Sequence, residues 1–160
     1  MGTRARVDWR ETFRVWGFGA AKVPLILFVR PRVLELSDAR CVVRVPLRYR
    51  TRNHLGSMYF GTICVGADVA GGLMAMREIE RSGERLSLIF GDVKGEFLKR
   101  VESDALFECA DGPAVRELIA RARQSGERES LPVTITVTVP DKLGEEPAAR
   151  FVLNLSVKRK

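Results

Sequence analysis

Thr62 to Met76 reads TICVGADVAGGLMAM, fifteen residues that carry a single charge, Asp68. Small and unbranched apolar side chains dominate it, a composition that suits a helix better than a strand. The run is shorter than the ~18 apolar residues that a membrane span needs, and too apolar for a solvated surface. It predicts a helix buried in the centre of a soluble domain. Gly66, Gly71 and Gly72 would each cost a mid-helix position about 1 kcal/mol. They make sense where a sheet or a second helix comes close to the backbone.

Outward from this helix the pattern changes to strands. Upstream, Val43 to Arg50 alternates Val43, Val45, Leu47 and Tyr49 with Arg44, Pro46, Arg48 and Arg50. Pro46 lacks a ladder donor, which predicts an edge strand or a bulge there. Before it, Leu25–Val29 is a short apolar run compatible with a first strand reaching Arg30 or Leu36. Downstream, Arg85–Val101 reads as a long strand bent at Gly91 or Gly95, with Ala105–Ala110 as a shorter partner. Val133–Val139 and Phe151–Val157 alternate in the same way. Two amphipathic helices complete the chain. Asp8 and Glu11 resemble a capping box before Trp9, Phe13, Trp16 and Ala20, and Pro113–Arg123 carries an apolar face that stops at Gly126. The Trp9, Phe13, Trp16 stripe predicts core packing or a lid over the sheet. The expected fold is α+β, an antiparallel sheet wrapped round one central helix. Residues 1–24 would form an N-terminal helical segment and 25–160 a single domain.

Composition narrows the chemistry. The chain has 160 residues, with 27 Lys and Arg against 20 Asp and Glu, a net charge of +7. That balance favours anionic partners, whether nucleic acid, phosphorylated ligands or membrane surfaces. Cys41, Cys64 and Cys109 are scattered and His54 is the only imidazole. No zinc-ligand spacing exists, and a His-dependent triad would have to use His54. Neither a secretory leader nor a P-loop pattern is present, and the expected location is the cytoplasm. Cys64, without a matching His, reads as packing.

Asp68 is the residue that needs a reason. A carboxylate in an apolar helix lies at a helix edge, is satisfied by a nearby Arg or Ser, or serves chemistry at a subunit or domain junction, because burying it charged and unpaired is costly. Just upstream, Asn53-His54-Leu55-Gly56-Ser57-Met58-Tyr59-Phe60-Gly61 leads straight into the helix. Its backbone N–H groups and the helix N-terminus offer a site for a developing oxyanion.

This segment resembles the hotdog-fold acyl-coenzyme A thioesterases of the phenylacetate-pathway type, and within them a divergent, DUF4442-like bacterial branch. The family segment runs N-x-x-G-[ST]-x-H-G-G, then six residues, then an acidic residue on the long helix. Asn53, Gly56, Ser57, Gly61 and Asp68 stand at the matching offsets. The resemblance implies a hotdog fold and hydrolysis of acyl-coenzyme A or acyl-carrier thioesters by a homodimer, with two dimers paired into a tetramer as the alternative assembly. It implies that Asn53 and a backbone N–H polarise the carbonyl while Asp68 of the other subunit acts as base or nucleophile. Coenzyme A would enter only as part of the substrate, with no further cofactor and no metal. The chain departs from the family at Tyr59-Phe60, where the pattern has His-Gly; Phe60 keeps its N–H, and Tyr59 is a poor proton shuttle near pH 7. The alternative is a non-catalytic hotdog protein that binds an acyl chain or acyl-coenzyme A. Arg44, Arg48 and Arg50 would either keep a strand edge soluble or hold coenzyme A phosphates. Nucleic-acid binding has only the net charge and this arginine stripe in its favour, without a recognition motif.

Overall fold

Asp8 starts the first helix, α1 (Trp9–Ala21): its carboxylate accepts the Glu11 N–H at 3.1 Å, half of the expected capping box. The computed structural model describes residues 6–160, so the first five residues of the expected N-terminal segment lie outside the described ones. Leu25–Val29, expected as a strand, belongs instead to a helix, α2 (Pro24–Val29). Pro24 sits in its first turn, where a fixed φ and a missing N–H suit a helix start, and Arg30 ends it at φ 55°. An apolar run this short has no period that separates helix from strand. The first strand comes later, β1 (Arg32–Leu36), and pairs with β2 (Cys41–Val45).

The expected strand over 43–50 is also shorter. Beyond Val45 the Asp104 carboxylate accepts the Leu47 N–H at 2.9 Å, and Thr51 Oγ1 accepts the Arg48 N–H at 2.8 Å. These bonds turn the chain into a 3-10 turn over Tyr49–Thr51. Pro46 therefore lies outside the ladder. Arg44 is on the strand while Arg48 and Arg50 belong to the turn, so the three arginines do not share one strand face.

The apolar centre of the chain is the long helix α3 (Phe60–Ser82), ended by Gly83 at φ 68°. It is followed by β3 (Leu86–Phe97), β4 (Ala105–Cys109), α4 (Gly112–Ser125), β5 (Glu129–Thr138), a short α5 (Pro140–Leu143) and β6 (Pro147–Arg159). The strands form one sheet in the order β1-β2-β4-β5-β6-β3, every neighbouring pair antiparallel. β1 and β3 are its edges. The long strand bends at Gly91, where its register against β6 shifts, and not at Gly95, which stays opposite Phe151.

α3 lies against the sheet through Ala67, Ala70 and Met74, all fully buried. At Gly66 the approach is closest: a Cβ there would overlap the ring of Phe107, itself fully buried on β4. The helix penalty of that glycine is offset by the packing it permits. Gly66→Ala should therefore destabilise the protein by about 1–3 kcal/mol, the cost of overpacking, although alanine is the better helix former. A urea midpoint that rises would contradict it.

The aromatic stripe of α1 is not core. Trp9, Phe13 and Trp16 cluster with ring centroids 5.6–6.3 Å apart, yet Trp9 is 48% and Phe13 59% exposed. The buried face of α1 is Thr12, Val15 and Gly19, one step round the helix. Among the described residues no helix is long and apolar enough to cross a membrane.

Candidate active site

Asp68 lies two turns inside α3 and is half-buried. Among the described residues its side chain has neither a hydrogen-bond nor an ion-pair partner. Burial alone pushes its carboxyl above the ordinary carboxylate range. The bland expectation, a carboxylate satisfied by a nearby Arg or Ser, does not hold. Asp68 faces a cavity of about 780 Å³ walled by α1, α2, α3 and the start of β3. Val15, Phe18, Ile26, Leu73 and Phe90 make its apolar lining. Arg14 reaches across the rim, 3.1 Å from Glu11 and 2.7 Å from Glu80, and so ties α1 to α3. A carboxylate kept unpaired beside an apolar chamber can accept a proton from water or attack a bound acyl carbon.

The loop before α3 is built around Asn53. Its Oδ1 accepts the Leu55 N–H at 2.9 Å and its Nδ2 donates to Ser57 Oγ at 3.1 Å. Gly56 N–H closes the turn on the Asn53 carbonyl at 3.1 Å, with Gly56 at φ 80°, a conformation that favours glycine. Met58 N–H donates to the Val101 carbonyl at 2.8 Å and Tyr59 N–H to the Thr51 carbonyl at 2.9 Å, which anchors the loop. Ser57 is buried in this turn. Asn53 thus organises the loop, and one hydrogen of its amide takes no part in these bonds.

Tyr59 caps α3 without a side-chain hydrogen bond, so the N–H groups of Phe60, Gly61 and Thr62 point out unpaired by the helix. The Tyr59 ring covers Gly61, where a Cβ would come within 2.6 Å of it. Phe60, 58% exposed, packs tilted against Tyr59 at 4.8 Å and meets Phe97 of β3 edge-on at 6.4 Å. The Tyr-Phe departure therefore makes an aromatic shelf that joins the helix start to the sheet edge.

One chain does not bring these parts together. Phe60 and Asp68 are eight residues apart on one straight helix, about 12 Å along its axis. Asn53, His54 and Gly56 line a different surface pocket with Tyr49 and Arg52, about 560 Å³ in volume. The free edge strand β3, twelve residues long, lines the Asp68 cavity with Phe90 and meets Phe60 through Phe97, and its Ile89, Val93 and Phe97 are each half or more exposed.

The arginines separate likewise. Arg44 is paired with Asp104. Burial pushes the Asp104 carboxyl up, but Arg44 and the Leu47 N–H outweigh it and hold the group below its ordinary value. Arg48 and Arg50 have no carboxylate partner among the described residues, and neither does Arg52, which lies over the 84%-exposed Tyr49 ring at 5.3 Å. Sequence reasoning passed over Arg52 because the alternation ends at Arg50, and it read Tyr49 only as one position of that alternation. Burial pushes the Cys64 thiol up, away from nucleophilic reactivity.

The family model of DUF4442, a domain of unknown function, matches residues 14–157. Among solved structures, a probable thioesterase from Pseudomonas aeruginosa is similar at 19% identity and TM-score 0.76, covering 93% of this chain and 96% of that one. A protein of unknown function from Chlorobaculum tepidum aligns over 99% of this chain and 100% of its own, at 10% identity and TM-score 0.82. A thioesterase from Haemophilus influenzae aligns over 84% of this chain and 82% of its own, at 13% identity and TM-score 0.61. No curated protein matches the chain. At these identities the likeness shows the fold, which is the hotdog fold.

Proposed function

We propose a catalytic reading for this chain, which belongs to the DUF4442 family: it hydrolyses acyl thioesters, with acyl-coenzyme A or an acyl carrier as substrate. The observation that carries it is Asp68, an unpaired and half-buried carboxylate at the wall of an apolar cavity large enough for an acyl chain. Leaving such a group unpaired works against stability, and chemistry is the reason to retain it. Two chains would join along the free edge of β3, since a long apolar edge strand is otherwise a template for pairing. That joining would bring the Asn53 amide and the Phe60 N–H of one chain towards the Asp68 of the other. The two N–H groups would hold the thioester carbonyl as it gains negative charge. Asp68 would take a proton from the water that attacks the carbonyl, or attack the carbonyl itself to form an acyl anhydride that water then hydrolyses, and on either route the thiolate leaves as the C–S bond breaks. Arg48, Arg50 and Arg52 would be the cations that meet coenzyme A phosphates, a reading supported by the pairing of Arg44 with Asp104.

The alternative, an acyl-binding protein without turnover, has one observation in its favour: the Phe60 ring stands where the family pattern has glycine. A hydrolysis screen over acyl-coenzyme A of increasing chain length separates the two. Thiol release above the spontaneous rate is expected for at least one length. Saturable binding of acyl-coenzyme A with no release at any length would establish the binder.

A further inference from the structure

We infer that the α1–α2 hairpin is a docking surface for an anionic lipid bilayer. This inference does not depend on the thioester reading. Trp9, Phe13, Leu25 and Phe28 are 48–59% exposed on these two helices, an apolar display that the fold of one chain leaves uncovered. Between residues 6 and 32 the chain carries six cations against two carboxylates. Both carboxylates are engaged locally, Asp8 as the helix cap and Glu11 with Arg14. Two guanidiniums lie over the aromatic rings: Arg30 is 5.9 Å from the Trp16 centroid and Arg32 5.9 Å from that of Trp9. Neither has a carboxylate partner among the described residues, and Arg32 Nε is buried without a hydrogen bond.

Apolar side chains fringed by unpaired guanidiniums suit the boundary between acyl chains and anionic headgroups. Other occupants suit it less. A second copy in a symmetric contact would set these same cations against each other. A soluble polyanion would neutralise the arginines but leave Leu25 and Phe28 in water. The hairpin also walls the cavity of Asp68 through Val15, Phe18 and Ile26, so docking would set that cavity against the lipid.

The two tryptophans of the chain are both on α1, so their fluorescence reports on this surface alone. Vesicles of equimolar phosphatidylglycerol and phosphatidylcholine should sediment the protein, brominated acyl chains should quench its emission, and vesicles of phosphatidylcholine alone should do neither. Binding should weaken as salt rises. Arg10→Gln with Arg30→Gln should lower the partition coefficient about 25-fold, each cation at an anionic surface contributing roughly a factor of five. Phe13→Ser with Phe28→Ser should abolish quenching at unchanged melting temperature. Three results would overturn the inference. One is the absence of sedimentation with the anionic vesicles. Another is binding that the serine variant leaves intact, which marks a polyanion site. The third is a fall in oligomer size in the serine variant, which marks a contact between copies.

Discussion

Asp68→Asn should lower thioester turnover by ~10²–10⁴-fold, the usual contribution of a general base, while the protein melts at or above the wild-type temperature at pH 7. The two halves of this result have one cause. The carboxyl has no partner among the described residues, and burial raises its pKa above the ordinary 3.8. A carboxyl raised in the folded state favours folding below its unfolded pKa, and that contribution is lost as pH rises through the folded value. At neutral pH the ionised group therefore weighs against the fold, and asparagine removes the charge while keeping the shape. The stability difference between variant and wild type should close as pH falls below the ordinary carboxylate range. Turnover should instead rise with pH through a step displaced above that range. Full turnover in a folded Asp68→Asn protein would remove Asp68 from the chemistry, and a large drop in melting temperature would show that it is paired.

The second large effect is recovery of activity from two inactive proteins. Asn53→Ala should lower turnover by ~10²–10³-fold, the range for loss of one oxyanion donor. If each site takes its loop from one chain and Asp68 from the other, a heterodimer of Asn53→Ala and Asp68→Asn holds one intact site and one doubly defective site. Random re-pairing of equal amounts should restore about a quarter of the wild-type rate, because half of the dimers are mixed and each carries one working site of two. A site completed within one chain predicts no recovery at all. Val93→Lys, which places a charge on the exposed β3 edge, should block both pairing and recovery.

Much of this molecule was legible in particular residues. The single charge between Thr62 and Met76 identified both the buried helix and the residue on it that needed a chemical reason. Period-two alternation found β5 and β6, and Gly126 marked the end of α4, because these features depend on near neighbours in the chain. The failures share the opposite property. Leu25–Val29 is too short for its period to tell, and helix won there through Pro24 and the left-handed Arg30. The strand over 43–50 ended early because Asp104, far along the chain, accepts the Leu47 N–H and pairs with Arg44. That one carboxylate took Arg44 out of the arginine stripe.

By itself, then, the amino-acid sequence determined the α+β class, the central helix and the antiparallel strands, all written in periodicity and local spacing. It singled out Asp68 as the lone charge of the helix, while Asn53 entered only through the resemblance of residues 53–68 to a known family. Only the tertiary structure decided that Asp68 is unpaired and faces a cavity, that Asn53 lies in a different pocket, and that the aromatic stripe of α1 meets solvent. Exposure, desolvation and the separation of two groups depend on which distant segments pack together, and no local pattern of residues carries that information.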